Sequence, residues 1–179
     1  QCKFDVKTIQ CKGGAKADCL SAPQVAAVEA IVKGPMVNGK PFHVGFPYGG
    51  EFNDGGWGSW LAGRKDGAGA GRPSLAYGFS TDFMRYFVKL DPKWNHTQLN
   101  LATLPTDMKA VQMTLSPTNP DLSAYRKSGG KLLMYHGWND QLIAPGNSIN
   151  YYNSVAKKLG GVAKIDQSMR LFMTPGMNH

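Results

Sequence analysis

No apolar stretch in these 179 residues is long enough to cross a bilayer as a helix, so no membrane segment is predicted. The formal net charge is +8, yet no run of Lys or Arg exceeds two residues. A nucleic-acid groove clusters its cations, so the scattered charge reads as a basic surface and no nucleic-acid partner is predicted. An acidic partner, such as a plant-wall polymer or a membrane surface, is the alternative use of that charge. The three cysteines, Cys2, Cys11 and Cys19, form no C-x-x-C pair, so no metal site is predicted. The G-x-S-x-G elbow is also missing. Ser59 lies in GWGSW and Ser80 in GFSTD, and neither is placed at a strand-to-helix turn that would activate a serine. There is no internal repeat and no low-complexity tract.

What is present is globular and rich in turns: 42% hydrophobic and 11% aromatic residues, with 22 Gly and 11 Pro. The length suits one domain. Cys11 and Cys19 bracket KGGAKAD, a segment that can close into a disulfide-stapled loop in an oxidising compartment or carry two free thiols. Cys2 is left over. Ser21 and Gln24 have capping-box spacing, Pro23 suits a first turn, and Val25, Val28, Ile31 and Val32 share one helical face. Gly34-Pro35 ends that helix.

Periodicity is lost over residues 36–73, where Gly and Pro alternate with Phe46, Tyr48, Phe52, Trp57 and Trp60. A long aromatic loop region of this kind serves as a lid or binding surface, or as a small satellite core. SLAYGFSTDFMRYFVKLDPKWN reads as helix or short strand ending before Pro92. Asn95-His96-Thr97 fits the N-glycosylation sequon, and residues 97–128 read as a polar connector with short helical pieces.

The last fifty residues change character. A short apolar run at 131–136 predicts a buried strand, 148–159 a helix ending at Gly160-Gly161, and 169–173 a second strand followed by the loop TPGMNH. This alternation builds parallel α/β sheets. Functional groups in such sheets gather beyond the carboxyl ends of the strands. Asp140 lies just past the first strand and His179 just past the second. A carboxylate there can fix the tautomer of an imidazole, whose other nitrogen then takes a proton from a nucleophile. His136 lies inside the strand run and is expected to pack or to bond a backbone carbonyl.

DLSAYRKSGGKLLMYHGWNDQLIAPGNSINYYNSV (121–155) and the ending RLFMTPGMNH resemble the tannase and feruloyl esterase family. So do CKFDVKTIQCKGGAKADCLSAPQVAAVEAIVKGP near the start, the following GFPYGGE and the Trp57/Trp60 pair. The resemblance implies an α/β fold, an α/β-hydrolase core with a large loop-rich lid, of which this chain holds part of the lid and a connector (1–125) and the last strands of the catalytic sheet (126–179). It implies that Asp140 and His179 are the acid and base of a Ser-His-Asp triad. The serine, the oxyanion-hole donors and the partner of Cys2 are then expected upstream of Gln1. A Cys11–Cys19 disulfide, an exported protein, no cofactor for the chemistry, and a structural calcium ion in the parent with ligands outside this chain are also implied. The expected substrates are small esters of hydroxycinnamic or gallic acid, free or bound to plant wall, with Trp57, Trp60, Tyr77 and Phe79 as candidate contacts for the aromatic acyl group. The rival readings are an α/β-hydrolase-type serine peptidase and an inert, lid-derived binding module.

Overall fold

A computed structural model describes residues 4–14, 16–52, 55–65 and 71–179. Cys2 lies outside the described residues. The chain opens with a 3-10 turn at Val6–Ile9, followed by the Cys11–Cys19 disulfide and a single bridge between Gln10 and Leu20. Helix α1 (Ala22–Lys33) begins and ends where its flanking residues direct. The Ser21 N–H and Oγ–H both donate to Gln24 Oε1, at 2.8 and 2.9 Å, and Gly34 leaves the helix at φ 79°. Val25 is the buried member of the predicted apolar face.

The aperiodic region holds two short antiparallel pairs, β1 (Met36–Val37) with β2 (Lys40–Pro41) and β3 (Arg64–Lys65) with β4 (Gly71–Arg72). A π-helical turn, Gly58–Ala62, lies between them. Helix α2 (Leu75–Phe83) follows; the Ser74 hydroxyl caps it by accepting from the Tyr77 N–H at 3.2 Å. It runs into a second π turn, Met84–Val88, so the segment is helical rather than extended. The connector carries α3 (Leu104–Asp107), α4 (Lys109–Leu115) and α5 (Ser123–Lys127).

Strand β5 (Leu132–Gly137), helix α6 (Gly146–Lys158), the short α7 (Val162–Ile165) and strand β6 (Met169–Thr174) form one β-α-β unit. The strands are parallel and in register from Leu132–Met169 to Gly137–Thr174. Alternation along them divides the side chains between two faces. Leu132, Met134 and Met169 turn toward Val155, Ala156 and Ile165, which with Met169 form the buried core. Leu133, Tyr135 and Phe172, on the opposite face, are 68, 72 and 54% exposed. Compared with the sequence reading, the helix starts two residues earlier, because Pro145 already holds helical backbone angles (φ −63°, ψ −21°).

Candidate active site

Two loops meet at the carboxyl ends of β5 and β6. The acid loop leaves Gly137, and the histidine loop leaves Thr174. The Trp138 N–H donates to the Thr174 carbonyl at 2.9 Å and the Asn139 N–H to the Met177 carbonyl at 3.1 Å, which lays one loop on the other. Gly137 permits the approach: a Cβ there would overlap the Met177 carbonyl. The Asn139 side chain adds a third loop. Its amide donates to the Gly49 carbonyl, and its oxygen accepts from the Gly176 N–H at 3.1 Å. Gly50 lies against the same backbone, where a Cβ would come within 2.9 Å of the Asn139 carbonyl. The GFPYGGE segment is thereby tied to the rim of the sheet.

Asp140 is 7% exposed. Its Oδ1 accepts from the Leu142 and Ile143 N–H groups at 2.9 and 2.8 Å, as an Asx turn requires. Its Oδ2 lies 3.1 Å from Nδ1 of His179. Burial pushes the Asp140 carboxyl up, but the Ile143 and Leu142 N–H groups and His179 outweigh burial, and the group stays below its ordinary value. A carboxylate only accepts, so Nδ1 of His179 carries the proton and Nε2 of the neutral ring presents a lone pair. The His179 side chain is half exposed, at 51%. The pair can orient an imidazole and stabilise the imidazolium that forms when it takes a proton.

The sequence reading placed His136 in packing or a backbone contact. It does reach the Ile143 carbonyl (Nε2, 3.2 Å), but the structure corrects the rest. Its Nε2 also lies 3.1 Å from Asp140 Oδ2, and its Nδ1 2.7 Å from Ser148 Oγ. The sequence carries only part of this: His136 shares strand parity with Leu132 and Met134, which face the crossover helix, so its face is readable but its partner is not.

The aromatic candidates are arranged in two contacts. Trp60 and Phe79 meet with centroids 5.9 Å apart, joining the Gly58–Ala62 turn to α2. Tyr77 stands edge-on to His96 at 5.0 Å, with its hydroxyl 3.2 Å from Nδ1. Trp57 has its ring N–H buried. Among the described residues, no ring contact or hydrogen bond joins these four to Asp140 or His179. Ser59 sits in the π turn and Ser80 inside α2. Among the described residues, no three His, Cys, Asp or Glu side chains converge to hold a metal ion, and no helix is long and apolar enough to cross a membrane.

A β-strand, an acid loop, a crossover helix, a parallel strand and a histidine loop, with the acid bonded to the histidine, define the α/β-hydrolase class. The chain matches the tannase and feruloyl esterase family over residues 1–179 and belongs to it. It is 30% identical to an uncharacterized esterase of Xanthomonas campestris pv. campestris, over all of this chain and 34% of that protein. It is 35% identical to a probable feruloyl esterase B-2 of Aspergillus terreus, over 99% of this chain and 32% of that protein. Among solved structures it resembles an esterase from Aspergillus oryzae, with a TM-score of 0.81 and 30% identity, covering 99% of this chain and 33% of that one. Feruloyl esterase B from the same organism shares the fold, with a TM-score of 0.80 and 24% identity over 97% of this chain and 33% of that one. The chain thus spans about a third of the length of the relatives it matches.

Proposed function

We propose that the full-length protein is a serine carboxylic-ester hydrolase for esters of hydroxycinnamic or gallic acid, with Asp140 and His179 as triad acid and base. The observation that carries this reading is the hydrogen bond from His179 Nδ1 to the buried Asp140 carboxylate. The nucleophilic serine, the oxyanion donors and the ligands of a structural calcium are assigned to sequence outside these residues. Nε2 of His179 takes the serine proton as oxygen attacks the ester carbonyl. The alcohol then leaves with that proton, and water, deprotonated by the same nitrogen, releases the acid and restores the serine. Asp140 keeps the ring in the reactive tautomer throughout.

In this reading residues 1–125 form part of the lid and a connector, and residues 126–179 the end of the catalytic domain. Trp57, Trp60, Tyr77 and Phe79 contribute the aromatic surface for the acyl group, which stacks on such faces. The Cys11–Cys19 disulfide supports an exported protein, secreted or periplasmic. Free or plant-wall-bound aromatic esters are the partners. The test is turnover of methyl ferulate, methyl gallate, an aliphatic p-nitrophenyl ester and a peptide amide by the full-length protein and its Trp60→Ala variant. Aromatic esters are turned over fastest, and the variant loses most on those. Amide cleavage without ester cleavage favours a peptidase, and no turnover of any substrate favours a binding module.

A further inference from the structure

Asp140 is held by more groups than the His179 contact that proton transfer requires. Its Oδ1 takes two backbone N–H groups. Its Oδ2 takes two imidazoles, His179 through Nδ1 and His136 through Nε2, each at 3.1 Å. We propose that His136 is the positioning residue for Asp140: its Nε2–H holds the side of Oδ2 that His179 does not use, and so fixes the carboxylate that presents the His179 ring. This rests on the assignment of Asp140 and His179 to ester hydrolysis.

The first support is the direction of the proton. Nε2 of His136 faces both Oδ2 and the Ile143 carbonyl oxygen at 3.2 Å. A carbonyl can only accept, so Nε2 is a donor whether the ring is neutral or charged. Asp140, its carboxyl held below the ordinary range despite the opposing effect of burial, is the anion that receives both rings.

The second support is anchorage. Nδ1 of His136 lies 2.7 Å from Ser148 Oγ in the first turn of α6. The ring is therefore clamped between strand, acid loop and helix, with its side chain 13% exposed. His179 stands on the loop that follows β6 and meets the carboxylate through Nδ1. Orientation passes from the rigid strand through the carboxylate to the loop imidazole.

Two variants of the full-length protein test the assignment. His136→Leu removes the donor and keeps an apolar side chain in place. It lowers kcat for an aryl ester roughly tenfold to hundredfold with KM little changed, the scale on which small misplacements of catalytic groups act. His136→Gln carries an amide N–H the same number of bonds from the backbone and restores most of that loss. A second readout needs no turnover: the NMR signal of the His179 Nδ1 proton moves in His136→Leu and returns in His136→Gln. Unchanged kcat in His136→Leu, equal losses in both variants, or an unmoved His179 signal overturns the proposal. A wild-type protein that turns over no ester removes the esterase reading and leaves the NMR comparison to decide the role of His136.

Discussion

Gly137 and Met177 are in contact through backbone alone: the space a Cβ would need at Gly137 is taken by the Met177 carbonyl, with the Asn178 carbonyl beside it. The end of β5 is thus the floor on which the histidine loop rests. Gly137→Ala should push that loop outward and His179 away from Asp140. Overpacking of this kind costs about 1–3 kcal/mol, and a displaced base costs on the order of a hundredfold in rate. Chemical denaturation and aryl-ester turnover of the full-length protein read the two effects. An alanine variant with wild-type turnover would show that the close approach is incidental.

The Cys11–Cys19 disulfide closes a loop with a sequence separation of 8 beside the Gln10–Leu20 bridge and buried Val6. Chain-entropy arguments give about 2.5 kcal/mol for a loop of that size. The Cys11→Ser/Cys19→Ser variant should lose up to that amount in equilibrium unfolding and become more open to proteolysis between α1 and the amino end. Unaltered unfolding would place this loop outside the cooperative unit.

Acid stability should depend on Asp140. Burial raises its proton affinity, but the Ile143 and Leu142 N–H groups and His179 together outweigh burial, so the folded carboxyl sits below its ordinary value of about 3.9. The folded chain binds this proton less tightly than the unfolded chain. Its stabilisation is therefore complete above about pH 4 and is lost as pH falls through the lower, folded value. Unfolding measured across that window should be steeper for wild type than for Asp140→Asn. Identical slopes would mean that the carboxylate contributes nothing to acid lability.

The outer face of the β5–β6 pair carries Leu133, Tyr135 and Phe172, all largely exposed. Parallel sheets are covered on both faces, and two strands rarely stand alone. The 179-residue chain taken by itself should bind a hydrophobic dye, self-associate and turn over no activated aryl ester. A monomeric, cooperatively unfolding chain of this length that hydrolyses p-nitrophenyl acetate would contradict both the exposure argument and the assignment of the serine elsewhere.

The β5–α6–β6 end of the fold was legible because its signals are local. Apolar runs bounded by Gly, the helical spacing of Tyr152, Val155, Ala156 and Leu159, and an acid and a histidine each following a strand all appear within fifty residues. The right-handed crossover then brings the two loops together. His136 was not legible as a partner of Asp140, because its contact depends on where α6 delivers Ser148 and on the turn that swings Asp140 back over the strand. The 36–73 region was legible only as aperiodic. Its pieces are held by long-range ties such as Asn139 to Gly49, and by Trp60 against Phe79, which no periodicity announces. Trp57, Trp60, Tyr77 and Phe79 are named from the sequence as contacts for an aromatic acyl group; among the described residues Trp60 meets Phe79 and Tyr77 meets His96.

The proposed chemistry turns on the carboxylate of Asp140 holding the imidazole of His179 for proton transfer, and the most direct measurement is kcat of the full-length protein and its Asp140→Asn variant on methyl ferulate. The asparagine keeps the shape of the loop but can present an N–H to His179 and favour the wrong tautomer, and kcat should fall by about 10⁴-fold, the loss seen when a triad aspartate is so replaced. Turnover within a few-fold of wild type would contradict the assignment of this pair to the chemistry.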